Sequence, residues 1–229
     1  MFQKIHHQPT EHIVMSDLNL IEKGDDWVLY RAEVVQREQQ EMITQLGRSY
    51  RLFKNTFTGC DSSLKSDSFT LSALPTLFSD TSSEDKGAIK DIAEADMSGY
   101  RFYNVFNLTS PSPLYWFLFK NIKQVVRNTL GNNQPLWMQC WMNFHKQNEV
   151  LKWHDHHFPY HGYVSIDPKN STTEFKQGSL RYNIENVVGN IYFGPGWERM
   201  HRVVVNEDYD DSPRITLGFD ILTEPTLPD

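Results

Sequence analysis

The chain has 229 residues, of which 39% are hydrophobic and 13% aromatic; these values are typical of a globular protein and too high for a disordered one. The length is sufficient for one full domain, or for one domain with a helical extension. The formal net charge of −7 argues against a general nucleic-acid binder, because neutralising phosphates requires clustered Lys and Arg.

The cysteines and the hydropathy indicate a cytoplasmic protein. Cys60 and Cys140 are far apart and lie in no CxxC pattern, so we expect two free thiols in a reducing cytoplasm rather than a disulfide framework. No stretch resembles a signal peptide or a membrane span, since the most apolar window, 113–122, is interrupted by Lys120 and Asn121.

The N-terminal part of the sequence predicts two helices separated by a loop. Segment 34–50 is rich in good helix formers, and Gly47 is placed to end the helix. Segment 82–100 begins with serines that suit an N-cap and continues with acidic residues in its first turn. The Ser-, Thr- and Asp-rich stretch 57–85 is predicted to be an irregular surface loop, with a substrate lid as the alternative.

A third helix is predicted over 110–133, and its pattern is the most regular in the chain. Apolar residues recur at steps of three and four, and Gly131 follows them as a C-cap. The apolar positions are Leu114, Phe117, Leu118, Ile122, Val125, Val126 and Leu130. We expect this face of the helix to pack against a sheet.

After Gly131 the sequence changes to short segments rich in β-branched and aromatic residues, bounded by Gly, Pro, Asn and Asp. The predicted strands are 135–145, 161–167, 171–175, 190–195, 202–206 and 214–222. Their number and spacing favour a β-sandwich or barrel. The fold class is therefore α+β with a mainly β, jelly-roll-like core over 134–224, on which an N-terminal part, 1–133, packs to give a single domain, 1–229.

Four of the nine histidines lie within the eight positions 154–161. On a strand, His154 and His156 would point to one face, and Asp155 and His157 to the other. Two imidazoles on one face can chelate a metal when another strand supplies a third ligand. The isolated histidines are interpreted as surface or satisfied core residues: His6, His7, His12 and His145.

A third ligand and a candidate anion-binding residue follow later in the chain. His201 comes after a Gly-Pro-Gly turn and near the start of a predicted strand, and Arg214 opens the last strand thirteen residues further on. Arg214 and Thr216 share one face of that strand. A buried Arg needs an anionic partner, and its bidentate fork suits a carboxylate.

The order of these residues, His-x-His, then His, then Arg, resembles that of the iron(II)- and 2-oxoglutarate-dependent dioxygenases. The similarity covers about residues 135–222 and is carried by the histidine pair followed by HGYVSID, by VGNIYFGPGWERMH and by RITLGFDI. It points to the prolyl-hydroxylase-like, phage and marine-bacterial branch of the superfamily. The resemblance implies a double-stranded β-helix, which is a cupin-like jelly roll.

The resemblance also implies roles for particular residues. His154, His156 and His201 would bind Fe(II), and Arg214, aided by the Thr216 hydroxyl, would hold the far carboxylate of the co-substrate 2-oxoglutarate. Dioxygen would be consumed, succinate and CO2 released, and an unactivated C–H bond hydroxylated. The aromatic candidates for the pocket wall are Tyr163, which would contact the co-substrate, Trp153, and Tyr192, for which a core position is favoured.

The second metal ligand has an alternative assignment. The commonest pattern in the family that the sequence resembles has a carboxylate at the position of His156, which gives two histidines and one carboxylate as metal ligands. Asp155 is the alternative ligand, with His157 as its partner on the same face. We favour His154 with His156, because the order of residues in the family is then kept.

Two other functions remain open from the sequence. One is a cupin-like protein that binds a metal without 2-oxoglutarate chemistry, and the other is a non-catalytic interaction module with an exposed His-rich loop. Arg214 favours the oxygenase, since a simple metal-binding barrel needs no buried Arg there. The expected substrate is a small molecule, a peptide or a protein, and no oligomeric state is predicted.

Overall fold

The structure is a computed structural model that describes residues 17–57, 99–100, 112–131, 136–145, 152–206 and 212–222. Its elements in chain order are β1 (Leu18–Lys23), β2 (Val28–Ala32), α1 (Gln36–Phe57), β3 (Gly99–Tyr100), α2 (Pro113–Leu130), β4 (Trp137–His145), β5 (Tyr160–Asp167), β6 (Ser171–Gln177), β7 (Leu180–Glu185), β8 (Asn190–Pro195), β9 (Met200–Val205) and β10 (Arg214–Leu222). Among the described residues, no helix is both long and apolar enough to cross a membrane.

The described strands form two antiparallel sheets. The larger has seven strands in the order β1-β2-β8-β5-β10-β4-β3, and the smaller has three in the order β7-β6-β9. The prediction of a mainly β protein with packed helices is confirmed. The strands of the larger sheet that lie next to one another are mostly distant in sequence, so long-range contacts determine this topology.

Strand β10 lies inside the larger sheet, between β5 and β4, and is buried along its whole length. Because side chains alternate along a strand, its two faces have different chemistry. Ile215, Leu217 and Phe219 point into the main apolar core. Arg214 and Thr216 lie on the opposite face, which looks toward the smaller sheet.

Helices α1 and α2 cover the apolar face of the larger sheet. The Ser112 side chain accepts a hydrogen bond from the Tyr115 backbone N–H at 3.5 Å, and Gly131, at φ 64°, ends α2 in the left-handed region that glycine tolerates best. The buried face of α2 lies in the same apolar core as β8 and β10. The predicted helix, its C-cap and its packing on a sheet are confirmed.

A second, smaller apolar cluster lies on the side of the larger sheet that faces the smaller one. Its buried members are Trp27, Leu29, Tyr163, Phe175, Ile184 and Tyr192. The Tyr182 ring stacks between the rings of Trp27, at 4.6 Å, and Phe175, at 4.7 Å. These contacts hold the two sheets together beside the pocket described below.

The structure corrects several predictions about the elements. Helix α1 continues through Gly47 to Phe57, and Gly99 and Tyr100 belong to a strand rather than to the end of a helix. The rest of the helix predicted over 82–100 and nearly all of the loop 57–85 lie outside the described residues. All six predicted strands are present, but β1, β2 and β7 were not predicted. Cys140 is a buried free thiol, and Cys60 lies outside the described residues.

Leu118→Ala is expected to destabilise the protein by about 2–5 kcal/mol. Leu118 of α2 is 2% exposed and lies in the main apolar core, so its truncation leaves a cavity. Thermal or denaturant unfolding measures the effect. The exposed Gln124 of the same helix gives the control: Gln124→Ala should change stability by no more than about 0.5 kcal/mol. Equal effects of the two substitutions would contradict the packing of α2 on the sheet.

Candidate metal centre

Backbone hydrogen bonds bring the two histidine-bearing segments together. The His154 N–H donates to the His201 carbonyl at 3.0 Å, and the His201 N–H donates to the His154 carbonyl at 2.7 Å. The His156 N–H donates to the Gly196 carbonyl at 3.2 Å. His154 therefore forms an isolated bridge with His201 of β9, and residues 154–156 are not part of a regular strand.

The three predicted ligands nevertheless converge. The ring centroids of His154 and His201 are 4.1 Å apart, those of His154 and His156 are 5.5 Å apart, and those of His156 and His201 are 5.2 Å apart. Each ring offers a nitrogen, and these three nitrogens lie within 4.8 Å of one another. His156 and His201 are buried, and His154 is partly exposed.

The Nδ1 atom of each of these rings lies near an oxygen. The acceptors are the Lys152 carbonyl at 2.9 Å from His154, the Asp220 carboxylate at 2.9 Å from His156, and the Arg199 carbonyl at a long 3.5 Å from His201. Because these oxygens only accept, Nδ1 carries the proton and Nε2 keeps a lone pair. Nε2 of His156 is buried and has no hydrogen-bond partner. His156, with one ring nitrogen bonded to oxygen and the other without a partner, is thus arranged as metal-binding histidines are.

Burial keeps the imidazoles of His156 and His201 neutral. Desolvation, followed by the proximity of His161, lowers the pKa of His156 to about 3 despite the opposing effect of Asp220. Burial and the neighbouring histidines lower the pKa of His201 well below its usual value. Both rings are therefore unprotonated at neutral pH, as a metal ligand must be. Three neutral imidazoles suit iron, zinc, copper or nickel, so the residues fit the metal that the resemblance implies.

Arg214 lies on the same side of the sheet and is 2% exposed. Its Nε donates to the Ser171 hydroxyl at 3.1 Å, and one terminal nitrogen lies 3.4 Å from Nδ1 of His145. Burial, and then the charge of Arg214, lower the pKa of His145 to about 3, so this imidazole is neutral and able to accept. Ser171 and His145 thus fix the orientation of the guanidinium.

One pocket contains both the histidines and Arg214. Its lining residues are Trp141, Asn143, His154, His156, His161, Tyr163, Thr173, His201, Val203, Arg214, Thr216 and Gly218. The Thr216 hydroxyl accepts a hydrogen bond from the Asn143 amide at 3.4 Å. Tyr163 is buried, and desolvation raises the pKa of its phenol, so this side chain is a neutral part of the wall.

The structure separates the other candidate residues from this pocket. Asp155 and His157 are exposed and belong to neither of the groups of described residues that could hold a metal. Trp153 is not among the lining residues, and its ring lies under the Lys176 and Arg202 side chains, at 4.1 and 4.8 Å. Tyr192 is fully buried in the cluster between the sheets, which agrees with the favoured core position.

Two further residues of the site were not predicted from the sequence. Asp220 and His161 face each other in the register of β10 and β5, and Nδ1 of His161 lies 3.3 Å from the Asp220 carboxylate. Together with His156 they form a second group whose ligand atoms lie within 4.8 Å of one another. The signal in the sequence was the alternation along β10, which continues from Arg214 and Thr216 to Asp220.

Gly218, between Thr216 and Asp220, provides the space for Trp141. A Cβ atom at this position would lie 2.5 Å from the Trp141 indole. The Trp141 ring is stacked beside those of His156, at 5.7 Å, and His161, at 6.3 Å. The small residue on β10 therefore allows an aromatic wall next to the histidines.

The chain is thus a β-rich protein. A pocket between its two sheets contains a group of histidines that could hold a metal ion. No family model and no curated protein matches the sequence. HygX from Streptomyces hygroscopicus, crystallised with nickel and 2-oxoglutarate bound, is similar in structure with a TM-score of 0.51 at 12% identity, over 88% of this chain and 83% of that chain. This likeness shows that the chain has the fold of HygX and confirms the predicted resemblance at the level of the fold.

Two further solved structures are similar at lower scores. AviO1 from Streptomyces viridochromogenes Tue57 gives a TM-score of 0.47 at 11% identity, over 90% of this chain and 92% of that chain. An oxidoreductase of the 2OG-Fe(II) oxygenase family from Burkholderia pseudomallei gives 0.39 at 9% identity, over 49% of this chain and 60% of that chain. The chain thus spans less than two thirds of the length of the Burkholderia protein.

Proposed function

We propose that the chain is an iron(II)- and 2-oxoglutarate-dependent dioxygenase that hydroxylates an unactivated C–H bond. The observation that carries this proposal is the presence of two kinds of group in one pocket. The imidazoles of His154, His156 and His201 lie at one place in the pocket, and a buried guanidinium, that of Arg214, lies at another. The imidazoles would bind a metal ion, and the guanidinium would bind one carboxylate of a dicarboxylate that reaches the metal.

The architecture supports the proposal. Two antiparallel sheets with the candidate site between them are consistent with a double-stranded β-helix, the jelly roll of this superfamily. HygX, which has the same fold, was crystallised with nickel and 2-oxoglutarate bound. We therefore assign the corresponding chemistry to this chain as a proposal.

His154, His156 and His201 would hold the iron. The bound metal would supply open coordination positions at which 2-oxoglutarate and dioxygen react, with release of succinate and CO2. His156 and His201 would bind the metal without having to release protons at neutral pH, since burial already keeps these two rings neutral.

Arg214 would bind the far carboxylate of 2-oxoglutarate. Its guanidinium is held by Ser171 and His145, so little rotational freedom is lost when the carboxylate arrives. The Thr216 hydroxyl lies two residues further along the same strand face and can donate to the same carboxylate. Tyr163 and Trp141 line the pocket with aromatic surface, which would limit the access of water.

The second candidate function is a cupin-like protein that binds a metal without 2-oxoglutarate chemistry. The all-histidine donor set favours it, because three neutral imidazoles also suit zinc and nickel. Arg214 favours the oxygenase. The substrate that we propose is a small molecule, a peptide or a protein, and the fold alone does not select among these classes.

The test is to mix anaerobic iron(II)-loaded protein with 2-oxoglutarate and record the visible spectrum. We expect a charge-transfer band from a chelated iron–2-oxoglutarate complex, and succinate when air is admitted, measured with and without candidate substrates. The zinc-loaded protein is the control and should give neither signal. Absence of the band, of succinate and of affinity for 2-oxoglutarate would favour the cupin-like alternative.

A further inference from the structure

The Asp220 carboxylate is the centre of a buried cluster behind the proposed metal ligands. It is 1% exposed, and its Oδ1 atom lies 2.9 Å from Nδ1 of His156 and 3.3 Å from Nδ1 of His161. The two imidazole rings are stacked, with centroids 3.7 Å apart and planes 16° from parallel. The cluster is therefore rigidly packed, and one atom of Asp220 contacts both rings.

This geometry determines which nitrogen of each ring carries the proton. An ionised carboxylate only accepts hydrogen bonds, so Nδ1 of His156 and Nδ1 of His161 must both be donors. A buried carboxylate is tolerated only when donors compensate its charge, and here two are present. In neutral rings the remaining nitrogen, Nε2, is then a lone-pair donor. In His156 this nitrogen is the buried atom that has no hydrogen-bond partner.

His156, His161 and Asp220 also have the composition of a two-histidine, one-carboxylate metal site. A cation bound between their near atoms would replace both hydrogen bonds to Asp220. It would also leave Nε2 of His156 buried without a partner, which is unfavourable. A metal on Nε2, together with His154 and His201, satisfies both nitrogens of His156 at once. The geometry therefore favours the position at Nε2.

We propose that Asp220 is a positioning residue that holds His156 in the tautomer whose Nε2 binds the metal, and that it supplies the negative charge missing from a donor set of three histidines. His161 is the second donor that keeps the carboxylate in place. This inference rests on the metal site of the proposed function. Asp220 contacts His156 and not the metal itself. From this position it would contribute the negative charge that a carboxylate ligand contributes in other sites.

The test uses Asp220→Asn, which keeps the shape but presents one oxygen and one NH2 group to two rings that both donate. An amide at such a place favours the other imidazole tautomer. Long-range 1H–15N spectra of the metal-free protein report the tautomer directly. We expect the Nδ1–H form for His156 in the wild type and a shift toward the Nε2–H form in Asp220→Asn. Affinity for Co(II) should fall about 10- to 100-fold.

A matched control and a second variant complete the experiment. Asp167, on β5, is paired with Lys169 at 3.0 Å, so Asp167→Asn should change neither the tautomer nor the affinity for Co(II). His161→Phe keeps a flat ring and one of the two hydrogen bonds to Asp220. It should preserve the Nδ1–H form of His156 and weaken Co(II) binding less than Asp220→Asn does, and it serves as the test if Asp220→Asn does not fold.

Three results would overturn the positioning role: an Nε2–H tautomer of His156 in the wild type, unchanged Co(II) affinity in Asp220→Asn, or complete loss of Co(II) in both Asp220→Asn and His161→Phe while His154→Ala still binds the metal. The last result would identify Asp220 and His161 as direct ligands. Failure of the oxygenase proposal is distinguishable, because the tautomer and the affinity for Co(II) are measured without 2-oxoglutarate or turnover.

Discussion

His201→Ala is expected to abolish the binding of iron(II), of which the wild-type protein should take up about one equivalent per chain. The His201 ring lies 4.1 Å from that of His154 and 5.2 Å from that of His156. Removal of one of three protein ligands normally destroys such a site, because the remaining two cannot fix the metal. Anaerobic titration followed by metal analysis measures the stoichiometry.

Two variants near the site test the choice of ligands. His156→Ala should remove iron as completely as His201→Ala does, whereas Asp155→Ala should retain it, since Asp155 is exposed. Full metal occupancy in His201→Ala would contradict the proposed triad. Loss of metal in Asp155→Ala alone would move the second ligand to that carboxylate.

Local chemistry made the C-terminal strands and helix α2 predictable. Every second residue of β10, from Ile215 to Ile221, is apolar and enters the helix-covered core. Three of the residues that alternate with them, Arg214, Thr216 and Asp220, are polar, and a period of two is the main signal of a strand. Helix α2 has a serine N-cap, a first-turn proline and a left-handed glycine at its end. Such signals lie within short stretches of sequence, so these elements can be predicted without knowledge of the tertiary structure.

Two of the strands that were not predicted, β1 and β7, have no such pattern. In β1, five of six residues are exposed, and in β7 only Ile184 is buried. Both strands lie at the edge of their sheets, where one or both faces meet solvent and no apolar alternation is required. Gly47 was predicted to end α1, because glycine weakens an isolated helix. The helix continues past it, and its packing in the core through Met42 and Leu46 compensates for the glycine.

The site was only partly predictable, because the local sequence of a strand does not determine which other strand it pairs with. The order of the histidines and Arg214 indicated which residues to examine. It did not indicate that β5 and β10 are neighbours or that Asp220 pairs with His161. The single bridge between His154 and His201 likewise depends on the turn that brings β9 back to residues 152–159.

Arg214→Ala is expected to leave iron(II) binding largely intact and to weaken the binding of 2-oxoglutarate by about 2–5 kcal/mol, the usual cost of truncating one partner of a buried, hydrogen-bonded charge pair. At 1.4 kcal/mol for each factor of ten, this is roughly a thirty-fold to several-thousand-fold increase in the dissociation constant. The reason is that Arg214 is 2% exposed, so no water replaces the guanidinium opposite the carboxylate. Titration of the anaerobic iron(II) protein with 2-oxoglutarate measures the change.

The controls for Arg214 separate charge from geometry. Arg214→Lys keeps the charge but not the bidentate fork, so we expect only partial recovery of 2-oxoglutarate affinity. Arg202 of β9 pairs with Glu174 at the surface, with its side chain 40% exposed, and Arg202→Ala should leave that affinity unchanged. If Arg214→Ala binds 2-oxoglutarate as well as the wild type while still holding iron, the buried guanidinium is not the anchor. The site would then be a metal centre without a co-substrate, because the pocket would retain its three imidazoles but lose the feature that requires a dicarboxylate.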